Sequence, residues 1–407
     1  MKKEKEHLAR GNSFIPPAPL YSVQNIFVYL NRWFLSSDVT WDIEGIENWK
    51  SIPKGTGIIA AVKHAHPNDV YVIYEIAHRA KVRCLYLTVP EVFEGFLGLQ
   101  RFFVRAFGGF AVERGGRNVQ AIRFIIEELK KGDSSLVVFP EGELFYLNDY
   151  VTPLKQGNAY FALEGAKARS LDGKPDSLYF LPIALKYVYQ EDITSFLKKN
   201  LSTLEEILFK KTRTGEIIDR IQGLMDELLS RAEKEFKVSP QGKTPEEKFW
   251  SLSQLLVEKL EMEEFRKISN GEISDRDRVF MARYEKTTKK FKQAFWSLYS
   301  LSFLPGYLDS GDQYRMMETI LKINRLITGN EIPLFPGQRR LLVKVKKPLS
   351  VQPYLEKYLK PDTKKEAMQN LLTDLRSTLQ KSVNDLRKKA QNFSWQPGGL
   401  PSTPNKN

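Results

Sequence analysis

The chain has few of the residues that cross-link proteins or bind metals. Its 407 residues include one cysteine and four histidines. A single cysteine excludes an intramolecular disulfide framework and fits a reducing compartment. So few cysteines and histidines argue against a zinc site, and we expect neither a metal nor a bound cofactor. Cys84 itself lies in an apolar run over residues 82–87, which predicts a buried strand residue.

Long apolar runs and a secretory start are also missing. The sequence has no stretch of about eighteen uncharged apolar residues, so it predicts no transmembrane helix. The first residues mix lysine with glutamate and continue into polar residues, unlike a secretory signal. We therefore expect a cytoplasmic protein.

Basic residues outnumber acidic ones. There are 62 Lys and Arg against 49 Asp and Glu, for a formal net charge of +13. Such an excess favours an anionic partner, which can be nucleic acid or an acidic membrane face. Because no recognisable nucleic-acid-binding motif accompanies the charge, we expect no nucleic-acid partner. We expect peripheral association with an anionic membrane surface on its cytoplasmic side.

Two segments have the pattern of membrane-surface helices. Residues 21–34 place aromatic and aliphatic side chains on a broad helical face, with Arg32 as its only charge. Residues 283–304 begin with several lysines and continue into an aromatic stretch. For each segment the alternative is a helix packed against the protein's own core.

His64 and Asp69 are the most informative residues for chemistry. An apolar run over residues 57–62 predicts a buried strand, and Asp69 can open the helix that follows. An imidazole and a carboxylate are therefore held together where a strand meets a helix. A carboxylate in this position can fix the tautomer of a histidine and make it a general base. His66 is a second candidate base, but it precedes a proline, and we favour a loop-shaping or hydrogen-bonding role.

Three further blocks follow along the chain. Residues 108–114 form a glycine turn, a short apolar strand and Arg114 at its end. Residues 139–142, Phe-Pro-Glu-Gly, follow a second buried strand and present a carboxylate in a turn. Residues 181–185 are another short strand, with Pro182 near its start. Each block alone has an ordinary structural explanation, so the signal lies in their order and spacing.

In that order, His-x4-Asp, Gly-x5-Arg, Phe-Pro-Glu-Gly and a proline-containing strand resemble the glycerolipid acyltransferase family. This family includes the lysophosphatidic acid and glycerol-phosphate acyltransferases. The resemblance implies transfer of a fatty acyl group from a thioester, on coenzyme A or acyl carrier protein, to a hydroxyl of a glycerol-phosphate or lysophospholipid acceptor. It also implies that His64 is the general base, oriented by Asp69. The acceptor itself is the nucleophile, so no covalent enzyme intermediate is required.

The resemblance also implies where the substrates bind. The guanidinium of Arg114 would hold the acceptor phosphate through its planar fork. The turn at residues 139–142 would shape the acceptor pocket, and Pro182 matches a block associated with the acyl donor. The predicted substrate-binding residues are Gly109, Arg114, Glu141, Gly142, Lys155 and Pro182.

The third block departs from the family. The family commonly continues Phe-Pro-Glu-Gly with Thr-Arg-Ser, whose arginine is a second phosphate clamp, whereas this chain continues with Glu143, Leu144 and Phe145. A carboxylate where an anionic headgroup would sit opposes phosphate binding by Coulomb repulsion. Lys155, Arg117 or Arg105 could compensate. The alternative function is therefore a catalytically impaired relative that binds lipid or acyl donor without transfer.

We predict a three-layer α/β domain with a central, mostly parallel sheet flanked by helices. The active site is expected where strands end and helices begin. Residues 1–40 would be a membrane-proximal segment, 41–190 the acyltransferase core and 191–339 a helical insertion. Residues 340–390 would supply a closing strand and a long amphipathic helix, and residues 391–407 would be a disordered tail.

Overall fold

The computed structural model describes residues 14–20, 39–88, 90–93, 99–112, 119–259, 289–329 and 337–393. Several residues for which the sequence makes predictions lie outside these ranges. The predicted interfacial segment at residues 21–34, the phosphate-binding Arg114, and Arg117 lie outside the described residues. So do residues 283–288 of the second amphipathic segment and residues 394–407 of the predicted tail.

The described residues form one sheet of eight strands. Its strands are β1 Val39–Glu44, β2 Gly57–Val62, β3 Cys84–Thr88, β4 Gly109–Ala111, β5 Ser135–Val138, β6 Leu178–Tyr189, β7 Arg339–Val345 and β8 Leu349–Ser350. The strand order is β1-β7-β6-β2-β5-β3-β4, with β8 paired to β6. All neighbours are parallel except that β6 is antiparallel to both β7 and β8. The predicted mostly parallel sheet is confirmed.

Helices cover the sheet. They are α1 Glu47–Lys50, α2 Asp69–Ala80, α3 Leu99–Ala106, α4 Val119–Lys131, α5 Gln156–Leu171, α6 Thr194–Phe209, α7 Ile217–Phe236, α8 Pro245–Lys259, α9 Lys289–Ser300, α10 Gln313–Thr328, α11 Gln352–Tyr358 and α12 Lys364–Ala390. Short 3₁₀ turns occur at Pro90–Phe93 and Pro361–Thr363. No helix among these described residues is long and apolar enough to cross a membrane.

The central strand β2 divides the core between the two faces of the sheet. All six of its residues are buried, as expected for a parallel strand covered on both sides. Ile58, Ala60 and Val62 pack with α2 and with α6–α10 on one face. Ile59 and Ala61 pack with α4, α5, α11 and α12 on the other. This alternation produces the three-layer architecture that the sequence predicts, and Cys84 is buried in β3 as expected.

The described part of the segment between β6 and β7 consists of helices α6–α10. Their apolar side chains belong to the same core cluster as Val62 and Leu185 of the sheet, so these helices are packed directly onto the α/β layer. Within this group α9 turns Ala294 and Leu298 inward, with at most 1% exposure. For the described part of residues 283–304, the structure therefore supports the buried-helix alternative over a membrane-surface helix.

The chain returns to the sheet through β7, which lies between β1 and β6. The long helix α12 then packs on the sheet, with Leu371, Leu375 and Leu379 fully buried along one stripe. After α12, the ring of Phe393 lies 4.2 Å from the guanidinium carbon of Arg340. The packed chain thus extends three residues into the segment predicted to be disordered.

Candidate active site

His64 and Asp69 lie at the carboxyl edge of the sheet. β2 ends at Val62, and α2 begins at Asp69, as the sequence predicts. The turn between them brings the two side chains together, because the residues before Asp69 fold back over its carboxylate. In open parallel sheets this edge is where ligands bind.

The imidazole of His64 is oriented by the carboxylate of Asp69. Nδ1 of His64 lies 3.0 Å from Oδ2 of Asp69, which is fully buried. Because an ionised carboxylate only accepts hydrogen bonds, Nδ1 carries the proton and Nε2 is left as the basic nitrogen. The ring stacks on Phe139 at a centroid distance of 4.2 Å, and 16% of the His64 side chain remains exposed. A histidine oriented in this way can act as a general base.

Asp69 is held by further donors besides His64. Its Oδ2 accepts hydrogen bonds from the backbone N–H groups of Ala65 and His66, each at 2.7 Å. Its Oδ1 accepts a 2.6 Å hydrogen bond from the hydroxyl of Tyr187 in β6. Burial, and then the neighbouring carboxylate, raise the pKa of Tyr187 well above 10, so its phenol stays protonated and donates. The orientation of His64 thus depends on a residue outside the local turn.

Glu141 binds the loop that carries His64. Its Oε1 accepts from Nζ of Lys63 at 2.9 Å and from the backbone N–H of His64 at 3.1 Å. Its Oε2 accepts from the backbone N–H and the hydroxyl of Thr152 at 2.8 and 2.7 Å. The Glu141 side chain is only 1% exposed. Both carboxylate oxygens thus bind the protein and hold the loop of His64, and the substrate-binding role of Glu141 stays a prediction.

Gly142 and Lys155 lie next to each other beside this turn. Gly142 has φ +70°, a conformation that favours glycine. A Cβ atom added there would lie 2.8 Å from Cγ of Lys155, so the aliphatic part of that lysine packs directly over the turn. The backbone N–H of Lys155 donates to the carbonyl of Pro140 at 2.9 Å. These two predicted site residues are therefore brought together.

Pro182 and Gly109 lie at different distances from the site in the sheet. Pro182 pairs with Ala61 of the neighbouring strand β2, one strand away from the His64 loop. Gly109 begins β4, which is three strands away from β2. A Cβ atom at Gly109 would lie 2.6 Å from Cγ1 of Val104, so this glycine lets α3 pack closely against β4.

His66 is enclosed rather than open to substrate. It is 2% exposed, and its Nδ1 accepts a 3.0 Å hydrogen bond from the backbone N–H of Asn68. Its Nε2 lies 2.8 Å from a guanidinium nitrogen of Arg339, and its ring packs on Tyr187 at 4.9 Å. Burial, Arg339 and His64 lower the pKa of His66 well below 6.5. These contacts support the predicted loop-shaping role and leave His64 as the better placed base.

Glu143 has a counter-charge that the sequence did not indicate. A guanidinium nitrogen of Arg325, on α10, lies 3.9 Å from Oε1 of Glu143, and Arg325 also donates to the carbonyl of Leu144 at 3.4 Å. The guanidinium stacks over Tyr299 at 4.0 Å. Arg105, one of the residues proposed to compensate Glu143, instead donates to the carbonyl of Pro16 at 2.8 Å.

Asn148 and Asp149 connect strand β6, at Lys186 and Tyr187, to helix α10. The Asn148 side chain bonds both the N–H and the carbonyl of Tyr187, at 2.9 and 2.8 Å, and its own N–H donates to Glu318 at 2.7 Å. Asp149 is paired with Lys186 and with Arg315, whose Nε lies 2.8 Å away. Sequence reasoning missed these contacts because each pairs residues at least 37 positions apart. Helix α10 thereby supports the strand that presents Tyr187.

Metal ligation has no candidate here. Among the residues that the structure describes, no group of three or more His, Cys, Asp or Glu side chains could hold a metal ion.

The candidate site thus consists of an oriented histidine at the carboxyl end of a central parallel strand in an α/β sheet. Residues 43–186 match the protein-family model described as Acyltransferase. The match confirms the resemblance to the glycerolipid acyltransferases that the sequence motifs predict for this part of the chain. No curated protein and no solved structure gives a significant match. The family match supports acyl transfer as the general activity.

Proposed function

We propose that this protein transfers a fatty acyl group from an acyl thioester to a hydroxyl group of a glycerol-phosphate or lysophospholipid acceptor. The observation that carries this proposal is the His64–Asp69 pair within the acyltransferase-family residues 43–186. Nδ1 of His64 is engaged by Asp69 at 3.0 Å, so Nε2 is available to take a proton.

In the proposed reaction, Nε2 of His64 takes the proton from the acceptor hydroxyl as its oxygen attacks the thioester carbonyl carbon. Asp69 stabilises the imidazolium that forms. The tetrahedral intermediate then collapses, the carbon–sulfur bond breaks, and the imidazolium returns its proton to the departing thiolate. The new ester and the free thiol leave, and His64 is neutral again. Base catalysis of this kind contributes roughly 10²–10⁴ in rate.

A phosphorylated acceptor is supported by the pairing of Glu143. An unpaired carboxylate beside the site would repel a phosphate, but Arg325 lies 3.9 Å away and offsets that charge. Lys155, packed over the turn at Gly142, adds a cation at the same edge. The phosphate-binding role of Arg114 rests on the resemblance alone. The same pairing weakens the alternative of a binding-only relative, because that alternative was motivated by Glu143.

The remaining parts of the proposal concern the donor and the location. The acyl group would arrive on coenzyme A or acyl carrier protein, with Pro182 on the donor side, and no cofactor is required. The net charge of +13 supports contact with an anionic membrane surface, on its cytoplasmic side.

To test this proposal, the protein is incubated with a labelled donor, palmitoyl-coenzyme A or palmitoyl-acyl carrier protein, and with one acceptor at a time, and ester formation is measured. The acceptors are glycerol phosphate, lysophosphatidate, lysophosphatidylcholine and monoacylglycerol. We expect ester product with at least one phosphorylated acceptor. Arg325→Gln should raise KM for that acceptor about tenfold by leaving Glu143 uncompensated, and Glu143→Gln should not raise it. Product from monoacylglycerol alone would contradict the acceptor assignment. Donor or lipid binding without any product would favour the binding-only relative.

A further inference from the structure

Exposed apolar side chains are concentrated on and around α3. Four of the ten exposed large apolar side chains in the described residues belong to this helix or to the two segments bonded to it. We name this surface the aromatic face; its members are Leu20, Val92, Phe102 and Phe103, which are 44, 37, 55 and 42% exposed. Most of the others are scattered over separate helices, as is normal for single surface residues.

Hydrogen bonds join the three segments of the aromatic face. The backbone N–H of Leu20 donates to the carbonyl of the last residue of α3 at 2.9 Å. The side chain of Gln100 in α3 donates to the carbonyl of Val92 at 3.0 Å. The rings of Phe102 and Phe103 lie 5.6 Å apart. The face is therefore one surface built on a bonded framework.

The aromatic face is fixed to the helix that starts at Asp69. Phe103 stacks on Phe107 at 6.2 Å, and the carbonyl of Phe107 accepts a 2.7 Å hydrogen bond from Tyr74 of α2. Tyr71, on the first turn of α2, is itself 40% exposed. Through these contacts the aromatic face is attached to α2, the helix that carries Asp69.

The charged side chains of α3 are all basic. The helix contains Arg101 and Arg105 and no acidic residue, and Arg101 is exposed beside Phe102. Aromatic rings combined with arginines on one short helix are typical of a surface that sits at the headgroup level of an anionic bilayer. The chain also continues from Leu20 directly into residues 21–34, the segment that the sequence predicts to be interfacial.

We propose that the aromatic face is the surface by which this protein binds an anionic lipid bilayer. This surface would give the enzyme of the proposed function its access to lipid. The inference rests on that function in one respect, because an enzyme with a lysophospholipid acceptor must reach a membrane. Apolar side chains of the face would enter the membrane interface, while Arg101 would meet the anionic headgroups.

The test is co-sedimentation of the full chain with vesicles of phosphatidylcholine alone or mixed with phosphatidylglycerol. The test variant is Phe102→Ser with Phe103→Ser. The matched control is Leu171→Ser with Leu359→Ser, at side chains that are 81 and 54% exposed on other helices. We expect binding to the phosphatidylglycerol vesicles, a decrease of at least about tenfold in the test variant, and no change in the control. Arg101→Ser should weaken binding to these vesicles several-fold.

Three results would overturn the proposal. The wild-type protein could bind neither kind of vesicle, or the test and control variants could lose vesicle binding equally. The third is self-association of the wild-type protein that the test variant abolishes and the control variant does not. Thermal melting establishes that each variant is folded. Turnover of a short-chain acyl thioester with soluble glycerol phosphate separates this proposal from the proposed function. Lost vesicle binding with retained soluble turnover supports the aromatic face, whereas absence of turnover in the wild type would refute the reaction and leave the vesicle result standing.

Discussion

At the scale of single residues, the carboxylate of Asp69 connects the His64 turn to the next strand of the sheet. It accepts from the His64 ring and two backbone N–H groups on one oxygen and from Tyr187 on the other. A buried hydrogen bond to an ionised group contributes about 1.5–3 kcal/mol. The Tyr187 hydroxyl should therefore affect both stability and the alignment of Asp69 with His64.

We predict that Tyr187→Phe lowers kcat about tenfold and leaves KM little changed, because the lost donor loosens the carboxylate that orients His64. Steady-state kinetics with the acceptor that gives most product would measure this. Tyr189→Phe is the matched control on the same strand, since the Tyr189 hydroxyl has no hydrogen-bond partner in the described part of the chain. Equal rates in the two variants would show that the Tyr187 hydroxyl does not position Asp69.

His64 and Asp69 could be predicted from the sequence because both belong to one turn of a few residues. Tyr187 could not, because its contact with Asp69 depends on the register between β6 and β2. The register pairs Ile183 with Val62 and thus carries Tyr187 past the end of β2. Glu141 was identified as a site residue from a carboxylate in a turn, but the sequence could not show that Lys63 and Thr152 surround it.

At the scale of elements, helix α10 is the part of the helical segment that supports the active site. Glu318 lies in it, fully buried, and accepts from the N–H of Asn148 and from the hydroxyl of Tyr307. Burial raises the pKa of Glu318 from 4.5 to about 7, although the nearby Lys322 opposes that shift. The docking of α10 should therefore depend on pH near neutrality.

We predict that Glu318→Gln changes how stability depends on pH. Between pH 4.5 and about 7 folded Glu318 retains a proton that the unfolded chain releases, so its contribution is present below pH 4.5 and is lost as pH rises through about 7. The difference between the two free energies of unfolding, wild type minus variant, should thus decrease by roughly 3 kcal/mol from about pH 5 to about pH 8. Urea unfolding of both proteins measures it. A constant difference would contradict this account.

The spacing of apolar residues predicted the positions of the helices well, but it did not predict what each apolar face packs against. The aromatic stripe of α9 has the same periodicity whether it meets lipid or protein. In the structure α7, α8 and α9 share a core in which Phe249 stacks on Phe303 at 4.3 Å. A pattern specifies which face of a helix is apolar, whereas the partner of that face is decided by the tertiary packing of residues far apart in the chain.

At the scale of the whole molecule, the fold follows from continuous apolar runs and their order. Runs such as β2, buried on both sides, indicate parallel strands, and the late closing strand and long helix were predicted from alternation and stripe patterns. The attachment of α10 to the site could not be predicted, since it depends on pairs such as Glu143 with Arg325, 182 positions apart. Net charge indicated an anionic partner and could not indicate which surface would meet it.

The central claim is that His64, and not His66, is the base for acyl transfer. The most direct measurement is labelled palmitoyl transfer by wild type, His64→Ala and His66→Ala, with thermal melting to establish folding. We expect His64→Ala to remain folded and to lose roughly 10³-fold in kcat, whereas His66→Ala, which removes a buried side chain, should lose stability and much less activity per folded molecule. A folded His64→Ala variant within tenfold of wild type would contradict the account.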